Sequence, residues 1–358
     1  MRKIWILLLL IGISLISFSR EEYIKGKVLQ LIESKSEKDN NEISEIKIFK
    51  IELLDKKEYG EKVYVEFPIY RENSYNIEVK PGMNVVLYKD NQEDGTSNFY
   101  IADVDKRNSI YLLSGLFVGL TLILARKKGL KALISLGIVI GVIYEIFIPG
   151  IVAGYSPIIL ASLTGLFASL VTIYLMTGFT EKGINAILGS VVGVLFAGLL
   201  SYIFTYKMGL TGFVSVESLN FANLLQGIKI KEIISAGVIL GSMGAVMDIS
   251  MSISSALDEI KLVKPEISKK EIFFSGMRIG GDVIGTMVNT LILAYIGSSL
   301  LSAIFIFLQR SQYPLIRLLN FESVVVEILR ALCGSIGILV AVPVTAYFSS
   351  IINIKNEK

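Results

Sequence analysis

The chain has 358 residues, 53% of them apolar, and its mean hydropathy of +0.62 is too high for an ordinary soluble domain. Its formal net charge of +3 offers no field for nucleic acid. Histidine is absent, which excludes Ser-His-Asp and Cys-His catalysis, His-ligated zinc and histidine proton relays, and a single cysteine excludes an intrachain disulfide.

Charge is unevenly spread. Residues 20–107 hold a dense mix of Lys, Glu and Asp, whereas 108–350 consists of apolar runs separated by short charged clusters. The N-terminal "MRKIWILLLLIGISLISFSR" places Arg2 and Lys3 before an apolar core, with Ser17 and Ser19 as small residues at its end. Residues 1–19 therefore read as a signal peptide or a retained signal anchor, and either role exports the segment from residue 20 onward.

Residues 20–107 read as an exported β-rich domain. "EISEIKIFKIELLD" and "EKVYVEFPIY" alternate apolar and polar positions and are rich in Val, Ile and Tyr. In "YNIEVKPGMNVVLYKD", Pro81-Gly82 marks a turn between two such runs. About five short strands predict a small all-β barrel of the OB or SH3 kind, without a catalytic set. Asp94, Asp103 and Asp105 fall in turn-like stretches as solvated loop residues.

Residues 108–350 predict an α-helical multi-pass membrane bundle. Seven spans come after the N-terminal segment, at approximately 109–125, 130–148, 157–176, 184–206, 233–257, 280–308 and 327–350. Starting from the outside, alternation puts "ARKKGLK", "TEKG" and "DEIKLVKPEISKKE" in the cytoplasm, where the positive-inside rule wants basic residues. The 351–358 tail then also ends inside. Glycines at four-residue spacing, such as Gly189 and Gly193 or Gly237 and Gly241, read as close-packing positions. Two outer connections, one after Lys207 and one around "RSQYPLIRLLNFESVVVE", read as short interfacial helices or re-entrant pieces. Cys333 reads as a small buried side chain.

The chemistry concentrates in two late spans. In "AGVILGSMGAVMDISMSISSALDEI", Asp248, Ser252 and Ser255 share one helical face. Asp282, Thr286 and Asn289 repeat that spacing in the next span, with Thr290 and Ser298 nearby. If the two helices are antiparallel neighbours, Asp248 lies near the level of Asn289 and Ser255 near that of Asp282, as one polar seam. A carboxylate in hydrocarbon costs about 2.5–3.5 kcal/mol on insertion scales, so it must face protein or a wet cavity. Such groups suit a binding or permeation route, or else hydrogen-bonded glue between helices. Arg278, one turn before Asp282, is the alternative explanation of that carboxylate as an i, i+4 ion pair. Glu327 and Arg330 read as a structural i, i+3 pair. Intramembrane aspartyl proteolysis would want glycine at 279 and tyrosine before the other aspartate, where Ile279 and Met247 stand.

"GVILGSMGAVMDISMSISSALDEI", "PEISKKEIFFSGM" and "GDVIGTMVNTLILAYIGSSL" together resemble the YibE/F family of bacterial multi-pass membrane proteins. The resemblance extends to the N-terminal signal, the "VKPGMNVVLY" segment and "DVDKRNSIYLL". It implies a bacterial cytoplasmic-membrane protein and brings no established biochemical activity, cofactor or metal. The family commonly has Gly-Arg-Asp before its core, whereas here Gly280-Gly281-Asp282 stands. The expectation is a non-enzymatic permease or channel-like protein for a small polar solute or ion. The alternative is a non-transporting scaffold whose exported domain binds an extracytoplasmic partner. Its surroundings are the lipid bilayer, with a homo-oligomer or a paralogous membrane protein as companion and no nucleic acid.

Overall fold

A computed structural model of the chain describes residues 22–36, 42–55, 58–71, 76–92, 97–214 and 229–352. The expected leader at 1–19, the middle of the connection after Lys207, Asp94 and the end of the tail lie outside the described residues. The chain divides into two compact units, Met1–Ile123 and Leu124–Lys358.

In the first unit, β1 (Glu22–Ser36), β2 (Ile43–Leu53), β3 (Lys62–Tyr70), β4 (Asn84–Asn91) and β5 (Ser97–Val104) form one antiparallel sheet in the order β3-β2-β1-β4-β5. The outer strands β3 and β5 approach each other, so the sheet is a nearly closed barrel. Bulges between Val28 and Gln30 and between Leu31 and Glu33 add the local twist that lets the long β1 curl. Alternation sends Val28, Phe49, Ile51, Leu53, Val65, Val85 and Leu87 inward. Gly26 is needed inside the barrel, because a Cβ there would sit 2.6 Å from Ile51 Cγ2 and 2.9 Å from Leu87 Cδ1. The expected Pro81-Gly82 turn is present. Gly82 takes φ +90°, and Met83 N–H donates to the Lys80 carbonyl at 3.2 Å, as a type II turn requires.

Asp105 marks the end of the barrel and the start of helix α1 (Arg107–Val142). Its carboxylate accepts from the Arg107 side chain at 2.7 and 2.9 Å and from Arg107 N–H at 3.1 Å, with Lys25 Nζ 3.8 Å away. The hydrogen bonds from Arg107 hold this carboxyl well below its ordinary 3.8, at about 2, against the opposing effect of its burial. It is therefore not the solvated loop residue expected from its turn-like surroundings.

α1 is interrupted at Arg126, whose φ of 47° and ψ of −125° are not helical. The break falls in the basic cluster read as a cytoplasmic connection. A π-helical stretch, Ile143–Phe147, and the short α2 (Ile148–Val152) come next. Then come α3 (Pro157–Thr177), α4 (Glu181–Lys207), α5 (Ile230–Val263), α6 (Lys269–Ser298), α7 (Leu300–Gln309), α8 (Leu315–Leu318) and α9 (Glu322–Ile351). Among the described residues six helical stretches are long and apolar enough to cross a membrane. The first, Arg107–Val152, has 46 residues around the Arg126 break. An unbroken helix of that size would be about 69 Å long, over twice a ~30 Å hydrocarbon layer.

One boundary differs from the sequence reading. The span expected at about 280–308 is instead α6 from Lys269, followed by the separate α7. Helix initiation decides this: the Ser268 hydroxyl accepts from Glu271 N–H at 3.2 Å while the Glu271 carboxylate accepts from Ser268 N–H at 2.9 Å. The outer connection near Pro314 contains α8, one of the two forms expected for it.

In the second unit α4, α5 and α9 pack against one another, α3 lies on α4 and α5, and α6 lies on α5 and α9. Small residues make the contacts. A Cβ on Gly193 would lie 2.7 Å from the Gly337 carbonyl, 2.8 Å from Val246 Cγ1 and 2.9 Å from Ala341 Cβ. Gly189 meets Thr345 in the same seam. The expected pair Glu327–Arg330 is present at 2.8 Å, and Cys333 is buried beside Leu329 and Val326.

Candidate functional site

Two neighbouring helices carry the six residues of the expected polar seam. α5 turns Ile239, Ser242, Val246, Ile249, Ile253 and Leu257 into the bundle. At 100° per residue, Asp248 and Ser252 fall on the opposite side of the helix, and both are exposed, while Ser255 is half-buried. α6 turns Ile272, Gly276, Gly280 and Leu291 inward. Arg278, Asp282, Thr286, Asn289 and Thr290 lie on its other side, exposed.

The two helices are antiparallel, and their glycines set the register. Gly276 lies against Leu257, where a Cβ would come within 3.0 Å of Cδ1, and Gly280 lies against Ile253, at 3.2 Å from Cδ1. Continuing that register puts Asp282 level with Ser252 and Asp248 level with Thr286. The expected partners Ser255 and Asn289 are therefore about one turn out. The two aspartates then lie about one turn, roughly 6 Å, apart in depth, both close to the midpoints of their helices.

The helices nevertheless do not turn these stripes toward each other. The glycine-lined face of α6 packs mainly on α9, where a Cβ on Gly276 would lie 2.6 Å from Ala346 Cβ and one on Gly280 would run into Val342. It meets Leu257 and Ile253 of α5 beside them, so the polar faces are left on the outside of the chain. The expectation of a seam enclosed between the two helices is corrected on this point: matched spacing aligned the stripes in depth, but the small residues decided which faces meet.

Local bonding explains only the threonine hydroxyls. Thr286 Oγ1 donates to the Val283 carbonyl at 2.9 Å and Thr290 Oγ1 to the Thr286 carbonyl at 2.8 Å. Among the described residues, Asp248, Asp282 and Asn289 have neither a hydrogen bond nor an ion pair. The Arg278–Asp282 ion pair, the alternative expected from their spacing, is not formed: Arg278 points to the same outer face without reaching the carboxylate.

A second set of polar groups, inside the bundle, escaped the sequence reading. Ser169 and Ser190 share a hydrogen bond of 2.9 Å between α3 and α4, and Ser201 donates to Ser235 at 3.3 Å between α4 and α5. Asn185 Oδ1, Thr205 Oγ1 and Ser349 Oγ are buried without a hydrogen-bond partner among the described residues. At one end of the bundle Lys261 pairs with Glu181, and Lys182 with Asp258 at 3.6 Å. Elsewhere Glu232 is held by Ser156 and by Lys229 at 3.4 Å. The available signal was the coincidence of Ser, Ala and Gly at helical spacing in α4, which marks a packed face. A cavity of about 600 Å³ between α4 and α9 is lined mainly by Leu200, Phe204, Leu329 and Leu332, with Cys333 at its wall, and contains none of the six residues.

No curated protein matches the chain, and no solved structure does. The model of one family, the YibE/F-like proteins, matches residues 113–355, which takes in both polar stripes and all but the first few residues of the membrane-crossing helices. With more than half its length so matched, the chain belongs to the YibE/F-like protein family.

Proposed function

We propose that this protein is a bacterial cytoplasmic-membrane permease or channel-like protein that moves a small polar solute or ion along the polar faces of α5 and α6. Asp248, Ser252, Ser255, Asp282, Thr286 and Asn289 line the route. The supporting observation is that two carboxylates on adjacent helices sit near mid-helix, about one turn apart in depth, on faces that no packing requirement of the chain uses. Keeping each carboxylate there costs about 2.5–3.5 kcal/mol, a burden retained only with a compensating use. In this reading α1 crosses twice, turning at Arg126, which gives seven crossings, an outer β-barrel and an inner C-terminus. The basic residues at 125–131 and 258–271 support that orientation.

The test is flux. Purified protein in proteoliposomes is assayed for passage of K⁺, Na⁺, protons and glycerol, followed by Asp248→Asn and Asp282→Asn. Both variants should keep membrane abundance and lose flux. Unchanged flux in both removes the reading.

One observation favours a second reading, a non-transporting scaffold whose exported barrel docks an extracytoplasmic partner. Tyr23, Tyr88 and Tyr100 lie side by side across β1, β4 and β5, with ring centroids 5.6 and 6.4 Å apart, and Tyr23 and Tyr100 are about half exposed. Replacing Tyr23 and Tyr100 by serine should then abolish the cellular phenotype while both aspartate variants keep it.

A further inference from the structure

We infer that the outer face of α6 is the interface between two copies of this chain. The face carries Arg278, Gly281, Asp282, Gly285, Thr286 and Asn289, all exposed. Only 11% of the most apolar stretch of α6 is buried within the chain, against 56% of the same stretch of α5, so α6 is the helix with a side left open. That side is not lipid-like: it presents a carboxylate and an amide near the helix midpoint with no partner among the described residues. Hydrocarbon cannot solvate either group, and a second polypeptide laid on this face removes that cost.

Charge complementarity selects a second copy. Two chains inserted the same way are related by a two-fold axis along the membrane normal, which sets α6 parallel to its mate and makes the contact isologous. Arg278 and Asp282 lie one turn apart, about 6 Å of rise, so across the axis each arginine reaches the other chain's aspartate and the contact holds two ion pairs that neutralise all four charges. Gly281 and Gly285 provide the approach, since a Cβ on either meets nothing within 4 Å. They form a four-residue-spaced pair of the kind that lets helix backbones touch. The chain's own first apolar run, 108–125, contains no Lys, Arg, Asp or Glu and offers nothing to neutralise Asp282. This interface stems from the cost of the open face and holds whether or not a solute crosses.

The experiment reads association, not flux. In a Cys333→Ala background the full chain carries single cysteines at Gly281 or Gly285, with Ile159 and Leu163 on the exposed side of α3 as controls. Oxidation in native membranes should give a product of twice the chain mass from 281 and 285 and little from the α3 positions. Single-molecule photobleaching of the otherwise unchanged fluorescent chain should show two steps, and Gly281→Leu with Gly285→Leu should lower the two-step fraction about tenfold. Arg278→Asp should weaken pairing, and co-expression with Asp282→Arg should restore mixed pairs. One-step bleaching of the unchanged chain, equal crosslinking from α3, crosslinking of 285 to a different protein, or an intrachain disulfide between cysteines at 115 and 285 would each overturn the inference.

Discussion

The two units of this protein differ in what they leave on the outside and in how much small-residue surface they bury. In the barrel the inside is Val28, Phe49, Ile51, Leu53, Val65 and Leu87, and the outside carries most of the charge. In the helical unit the inside mixes Ile239, Ile249, Ile253 and Leu257 with Ala161, Ala168, Ala186, Ala197, Ala341 and buried serines, while Leu163, Leu166, Leu195 and Leu199 stand exposed. The difference comes from the solvent. In water, apolar area removed from contact is worth roughly 25 cal/mol per Å², so large side chains go inside. Lipid tails are as apolar as leucine, so large side chains can also stay outside, and helices gain by the close approach and interhelical hydrogen bonds that small inner residues allow.

Truncation should break that symmetry most sharply. Leu87→Ala in the barrel removes a fully buried side chain, and the expected cost is about 2–5 kcal/mol. Leu163→Ala, the same chemical change on an exposed side of α3, should cost under about 0.5 kcal/mol. Denaturant or thermal unfolding of the detergent-solubilised protein, with barrel and helix signals recorded separately, measures both. Equal losses would contradict the contrast.

Enlargement should show the converse. Gly193→Val pushes a branched side chain into the Gly337 carbonyl, Val246 and Ala341, and the overpacking should cost about 1–3 kcal/mol or more. Gly285→Val, which meets nothing within the chain, should leave the unfolding midpoint of isolated chains unchanged.

The junction of strand and helix responds to pH. Because the folded Asp105 carboxyl titrates at about 2, below its ordinary 3.8, its bond to Arg107 stabilises fully above about pH 4. That contribution fades as pH falls from 3.8 toward 2. Asp105→Asn should remove this acid-dependent part and cost about 1 kcal/mol at neutral pH, since Arg107 is half exposed and water screens the pair. A parallel acid titration of both proteins, with a β-sheet signal as readout, checks it. Identical acid midpoints would mean that the bond contributes nothing.

Legibility split along the same divide. Alternation in "EKVYVEFPIY" assigned the barrel's inner and outer faces because water makes polarity a guide to exposure, and Pro81-Gly82 named its own turn. In the membrane unit, length and hydropathy found the helices, yet hydropathy was silent on which face packs. The polar spacing of Asp248, Ser252 and Ser255 was read as an inner stripe, whereas Gly276 and Gly280 carried the decisive information about the face that α6 turns to α9 and α5. The start of α6 was also legible, in the Ser268 to Glu271 capping box, but the charged "SKKE" draws the eye to a loop. The pairing of Asp105 with Lys25, distant in sequence, has no local signature at all.

The smallest effect sharpens the comparison furthest. Ser169 and Ser190 bond each other at 2.9 Å, fully buried between α3 and α4. In a water-soluble core, leaving one buried hydroxyl without its partner costs about 1–3 kcal/mol. In the membrane the unfolded reference helices lack water too, and they also find partners, so such bonds average only about 0.6 kcal/mol. Ser190→Ala should therefore lower stability by about 0.6 kcal/mol, and Ser169→Ala with Ser190→Ala should cost scarcely more than either alone. A double-mutant cycle in bicelles measures the coupling directly. A coupling above about 2 kcal/mol would mean that this part of the bundle behaves like the interior of the barrel, and the two units would then share one rule of burial.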